Sequence, residues 1–134
     1  MHLAATLTLR RWASPTAQPH PVDGDYAERF WLPVIGPSSL WVLRWAAREL
    51  HRHGGAFDVG ADELALRVGL GVGSARQSPL RRSLKRLESF GLAQRLSESV
   101  VEFRTSVPTV SMRQLERLPV GLRREHREWP DAAA

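Results

Sequence analysis

The stretch SPLRRSLKRLESFGLAQRL, residues 78–96, decides how the chain is read. Ser78 followed by Pro79 has the form of a helix start. A serine hydroxyl caps a free backbone N–H, and proline is tolerated at the first helical position, where its missing N–H costs nothing. A start at Ser74 would place Pro79 inside the helix, at a cost of about 3 kcal/mol. From Pro79 onward Leu80, Leu84, Leu87 and Phe90 recur at helical spacing and form a face to be buried. The same period turns Arg81, Arg82, Lys85 and Ser89 to the opposite side, with Arg86 flanking. Gly91 fits the left-handed position that stops a helix, and Leu92, Gln94 and Leu96 then alternate as a strand does.

Working outward, Val101, Phe103 and Thr105 alternate on a second strand that Pro108 closes. Ser97-Glu98-Ser99 is short enough to be the turn of a hairpin between the two. Upstream, Ser38 or Ser39 caps a helix running to about His53. Leu40, Leu43, Ala47 and Leu50 share its inner stripe, and Trp41 and Trp45 lie beside it. Gly54 and Gly55 end that helix, and AFDV (56–59) is a short strand. Asp58 or Gly60 caps a second helix, ADELALRV (61–68), with Leu64, Ala65 and Val68 facing inward.

The flanks are less periodic. Residues 1–29 contain Pro15, Pro19 and Pro21 and are expected to form an extended, partly mobile N-terminal arm. FWLPVIGPSS (30–39) is apolar but broken by Pro33, Gly36 and Pro37, which predicts an irregular strap. Ser111 with Gln114 matches a capping box that opens a helix carrying Met112, Leu115 and Leu118. Pro119 breaks it, and VGLRREHREW (120–129) continues as a last helical segment. The division expected is an arm over 1–29, a domain over 30–108, a helical extension over 109–129 and a frayed tail over 130–134.

Charge separates these regions. The chain carries 19 basic and 14 acidic residues, a net +5, and only Lys85 among the basic residues is lysine. An arginine bias beside many alanines, glycines and prolines reads as GC-rich coding, so residue identity is no argument. Placement is. Between Arg67 and Ser97 stand seven basic residues and the acid Glu88, a net +6 that exceeds the whole chain's +5. The remainder is slightly acidic. The face of the 78–90 helix that carries Arg81, Arg82, Lys85 and Ser89 lacks the interspersed acids of an ordinary solvated face, and focused charge on a helix that fits a major groove is the footprint of a DNA reader.

The succession of helix, short strand, helix, turn, helix and two-stranded hairpin resembles the winged helix-turn-helix family of DNA-binding proteins. Two stretches carry the resemblance, FDVGADELALRVGL (57–70) and LRRSLKRLESFGLAQRL (80–96). The small bacterial transcriptional regulators of that family are the nearest in form. The resemblance implies a mainly α fold with a small β-hairpin (α+β), a winged helix-turn-helix with extra C-terminal helices. It also implies a non-enzymatic homodimer binding double-stranded DNA in a sequence-specific way. The 78–90 helix would enter the major groove, with Arg81, Arg82 and Lys85 as candidates for groove contacts. Gln77 and Ser78 would meet phosphates or bases at the helix start, and Arg76, Arg86, Arg95 and Arg104 would hold phosphates. Two departures are visible. The turn over 69–77 is about twice the ~3–4 residues of a tight helix-turn-helix. The hairpin tip holds Glu98 and no basic residue, so the family's wing contacts do not carry over.

Other readings fare worse. GLGVGSARQSP (69–79) follows a helical segment, puts Ser74 or Arg76 where a dinucleotide fingerprint needs its last glycine, and lacks the ending of a P-loop. No cofactor is expected. His51 and His53 lack further ligands nearby, and with no cysteine in the chain a metal site is not expected; their place near a helix C-terminus suits the dipole. Trp31, Trp41 and Trp45 read as packing residues rather than an effector pocket. Arg123, Arg124 and Arg127 alternate with Glu125 and Glu128, which is no second reader, and Leu115, Leu118 and Leu122 could build a dimer contact. No catalytic motif is present. No apolar run approaches a membrane span, Arg10-Arg11 precedes no apolar segment, and the expected location is the cytoplasm. The main alternative is a winged-helix module that binds a protein through its tryptophan-rich first helix or its C-terminal helices.

Overall fold

The structure, a computed structural model, describes residues 2–13, 17–72 and 78–130. Its elements are β1 (Thr6–Arg11), β2 (His20–Pro21), a π-helical turn (Ala27–Trp31), α1 (Leu32–Ile35), α2 (Pro37–Arg52), β3 (Ala56–Gly60) and α3 (Ala61–Arg67). After them come α4 (Pro79–Ser89), β4 (Ala93–Arg95), β5 (Val100–Phe103), β6 (Ser106–Val107), α5 (Met112–Glu116) and α6 (Val120–Glu128). The class is α+β, with helices packed on a small four-stranded sheet of order β3-β1-β5-β4 and a separate β2–β6 ladder. Among the described residues no helix is long and apolar enough to cross a membrane.

The N-terminal residues correct the expectation of a mobile arm. β1 lies inside the sheet, antiparallel to β3 and parallel to β5, with Leu7 opposite Val59 and Leu9 opposite Val101. Leu7 and Leu9 are fully buried because strand alternation turns both to the core. Their neighbours point outward into a polar ladder. The Thr8 hydroxyl donates to Asp58 at 2.7 Å, Arg10 pairs with Glu102 at 3.0 Å, and the Gln94 amide donates to Glu102 at 2.6 Å. The segment that follows is pinned as well. The buried Arg44 guanidinium donates to the carbonyls of Val22 and Gly24, at 2.9 and 3.1 Å, and to Glu28 at 3.3 Å. So 1–29 is not a separate arm; its described part shares the core of 30–108.

The apolar strap is also corrected, since Ala27–Ile35 is helical throughout. The widened π turn hands over to α1 so that Pro33 falls in a first turn, where its absent N–H breaks no bond. α2 begins two residues before the predicted cap. Gly36, at φ +83°, is its N-cap and Pro37 its first residue, which leaves Ser38 and Ser39 inside the first turn. Gly60 rather than Asp58 caps α3. The expected stripe of Leu40, Leu43, Ala47 and Leu50 is buried, with Val42 and Ala46 beside it, and it packs on β1, β5 and α4.

Candidate nucleic-acid interface

α4 starts and stops as its sequence dictates. The Ser78 hydroxyl accepts from the Arg81 N–H at 3.0 Å, Pro79 opens the helix, and Gly91 turns the chain at φ +70°. Leu80, Leu84 and Leu87 are buried on one side. Going round the other side, the helical period orders Glu88, Arg81, Lys85, Ser89, Arg82 and Arg86. Arg82, Lys85, Ser89 and Arg86 are exposed, while Arg81 and Glu88 are half-buried.

The predicted site residues divide into two flanks and two outliers. On one flank Arg81, Lys85, Glu88 and Arg95 line a shallow depression of about 270 Å³. Glu88 accepts the Arg95 backbone N–H at 3.2 Å, so the acid of this face fixes the end of β4. On the other flank Arg82 and Arg86 border the start of α2, and the Arg86 guanidinium donates to the Val34 carbonyl at 3.4 Å. Arg104 stands apart. Its Nε donates to the Gly91 carbonyl at 2.7 Å, and its guanidinium lies 4.6 Å from the ring centre of Trp12. The Arg95 guanidinium donates to the His2 carbonyl. Arg76 and Gln77 lie outside the described residues.

Among the described residues six arginines elsewhere stand in ion pairs, Arg10–Glu102, Arg29–Glu125, Arg44–Glu28, Arg48–Asp23, Arg52–Glu49 and Arg67–Glu63, whereas Arg11, Arg113, Arg117, Arg123, Arg124 and Arg127 do not. Among the described residues Arg82, Lys85 and Arg86 enter none of them. The positive charge of Arg82, Lys85 and Arg86 is therefore left to the solvent side of one helix, where a polyanion reaches it without breaking an ion pair.

The hairpin that follows is bound to the body of the protein. Ser97 Oγ accepts from the N–H groups of Ser99 and Val100, at 3.2 and 3.1 Å, which shapes the turn. The Ala4 N–H donates to the Glu98 carbonyl at 2.9 Å and ties the tip to the start of the chain. No local sequence signal announces that contact, or the burial of Arg104 between Gly91 and Trp12, because each joins residues about ninety positions apart or closes only once the sheet has formed.

The side chains weighed for other roles have packing roles. Trp31 is buried and its Nε1 donates to the Pro108 carbonyl at 2.7 Å. Trp45 meets Phe57 edge-on, and His53 stacks on Phe57 with ring centres 4.7 Å apart. Trp41 is 49% exposed beneath the Arg48 guanidinium, so the three tryptophans share no pocket. Leu118 is buried and Leu115 and Leu122 pack against the same core, which takes the leucines of the C-terminal helices into this chain's own interior. In comparisons with family models, curated proteins and solved structures, nothing matches the chain.

Proposed function

We propose that this chain is a winged-helix protein that binds double-stranded DNA, with α4 in the major groove. One observation carries the reading: Arg82, Lys85 and Arg86 lie exposed on the outward arc of α4 and stand in none of the ion pairs of the described residues. The helix of 11 residues is about 16 Å long and narrow enough for a groove ~12 Å wide. The order α2, β3, α3, α4, β4, β5 supports the winged-helix assignment, with β1 as an added strand between β3 and the hairpin. Arg82 and Lys85 are best placed for groove contacts, Arg81 and Arg86 flank them, and Arg104 serves the fold. Sequence-specific reading in a homodimer, with two α4 helices one DNA turn apart, would make the protein a transcriptional regulator.

The test is binding of a labelled duplex across a salt series by the wild type and by Arg82→Ala/Lys85→Ala. Affinity should fall linearly on a log–log plot, with the slope shallower by about 0.9 for each phosphate contact the variant loses. No measurable binding at low salt overturns the proposal. That outcome would favour a protein-binding module instead, for which the half-exposed Trp41 on α2 is the observation to follow.

A further inference from the structure

The last helix is fastened to the body by a titratable anchor. Of the nine residues Val120–Glu128, His126 alone is buried; Leu122 and Arg123 are half-buried and the others exposed. The Tyr26 hydroxyl meets His126 Nε2 at 2.8 Å, and the exposed Arg29–Glu125 pair, at 3.2 Å, spans the same junction. Phe30 packs edge-on against both the His126 ring and Trp129, just past the helix. We propose that α6 is a pH-operated latch, docked on the π-helical turn while His126 is neutral and released when it takes up a proton, with the sheet and α2 still folded. The proposal is independent of the DNA reading.

The docked geometry suits the neutral ring. The Tyr26 oxygen accepts the Val110 N–H at 3.0 Å, and its own proton is directed to His126 Nε2, which is then the accepting nitrogen. A protonated ring presents a second donor at that place and strands the phenol proton. Nothing near it offers a counter-charge. On the π-helical turn and its approach, Asp25 and Glu28 are exposed, Glu28 pairs with Arg44, and Arg29 brings a positive charge. β2 brings His20, stacked on Tyr26 with ring centres 3.7 Å apart, so its protonation adds a like charge. On α6 itself Glu125 is engaged by Arg29, Glu128 is exposed, and Arg123 and Arg127 are cations. Among the described residues no carboxylate stands in an ion pair with His126.

Burial, followed by the charge of a protonated His20, holds the His126 pKa below the usual 6.5. The docked helix thus resists a proton that the released helix accepts. Below pH 6.5 the released form gains by up to about tenfold per pH unit, until the depressed docked value is reached. The Arg29–Glu125 pair is too exposed to hold the helix alone. Once released, α6 also unwinds, because nine residues are fewer than the ~12–15 that form even a marginal helix in water. α2, by contrast, buries Leu40, Val42, Leu43 and Leu50 and packs on β1, β5 and α4, so it does not depend on this junction.

The experiment follows amide hydrogen exchange of the full chain at about pH 7.5, 6.5 and 5.5, corrected for the intrinsic exchange rate, with His126 ring resonances titrated in parallel. Protection over residues 123–129 should fall about tenfold between the two lower values while that of α2 changes far less, and the ring should titrate below 6.5. His126→Phe keeps an aromatic contact and cannot titrate, so protection of α6 in that variant should be independent of pH. His20→Gln, which leaves His126 in place, should raise the titration midpoint of the ring and shrink the fall. Protection of α6 that is constant from pH 7.5 to 5.5 overturns the latch. Loss of α6 and α2 together overturns it too, because the whole fold is then opening. So does a pH dependence that persists unchanged in His126→Phe, or, should that variant not fold, in His20→Gln.

Discussion

Ser78 and Gly91 bracket α4, and each acts through a single local device. Ser78 satisfies one backbone donor at the helix start; Gly91 holds φ +70°, which a side chain adopts only with strain. Space is not the constraint at Gly91, since an added Cβ would meet nothing within 4 Å. Ser78→Ala is therefore expected to lower stability by about 1 kcal/mol and Gly91→Ala by about 1–2 kcal/mol, as read from urea midpoints. Both devices were legible from the sequence because each involves only three or four neighbouring residues. The capping box at Ser111 was legible for the same reason and is fully formed, with Ser111 and Gln114 exchanging side-chain-to-backbone bonds. Arg104 was not legible. Its partners, Trp12 and the Gly91 carbonyl, meet it only after the sheet has assembled, so no local pattern announces them.

At the scale of elements, the misread one is β1. The sequence TLTLRR alternates as a strand should, with Leu7 and Leu9 between threonines, yet a run of six residues followed by prolines gives no sign of where it pairs. Its parallel partner β5 lies some ninety residues away, and only the complete sheet shows that Leu9 sits opposite Val101. α4 was legible because its period is internal to it. The two elements predict opposite behaviour. Leu9→Ala should cost about 2–5 kcal/mol in urea denaturation, as for any truncated core leucine; a change within about 0.5 kcal/mol, the effect of a surface site, would mean that β1 is not part of the core. Arg82→Ala/Lys85→Ala removes two exposed side chains and should alter stability by no more than about 0.5 kcal/mol per site, so any loss of DNA binding in that variant is not a loss of fold.

For the whole molecule, the two ends of the chain are joined by a cluster that no local pattern reveals. His20 stacks on Tyr26 with ring centres 3.7 Å apart and contacts the Thr109 hydroxyl at 3.0 Å. The Val110 N–H donates to the Tyr26 oxygen at 3.0 Å, which leaves the phenol proton for His126 Nε2, 2.8 Å away. Phe30 and Trp129 close the cluster edge-on, and the exposed Arg29–Glu125 pair spans the same junction. His126 thereby fastens α6 to the π-helical turn as a neutral imidazole. Burial holds its pKa below the usual 6.5, and the charge on a protonated His20 pushes it the same way. The sign follows from linkage. Below pH 6.5 the unfolded chain takes up the proton and the folded chain resists it, so acid favours unfolding. The contribution of this site is complete above the unfolded value and declines as pH falls through 6.5 towards the depressed folded value. Stability from urea denaturation should therefore drop between pH 7.5 and about pH 5, before most carboxylates titrate. His126→Gln should flatten that slope, and Tyr26→Phe, which strands the Val110 N–H, should cost about 1–3 kcal/mol even at neutral pH. Stability that is unchanged or higher at pH 5 would show that the histidine is not held neutral, and that something other than this cluster fastens α6.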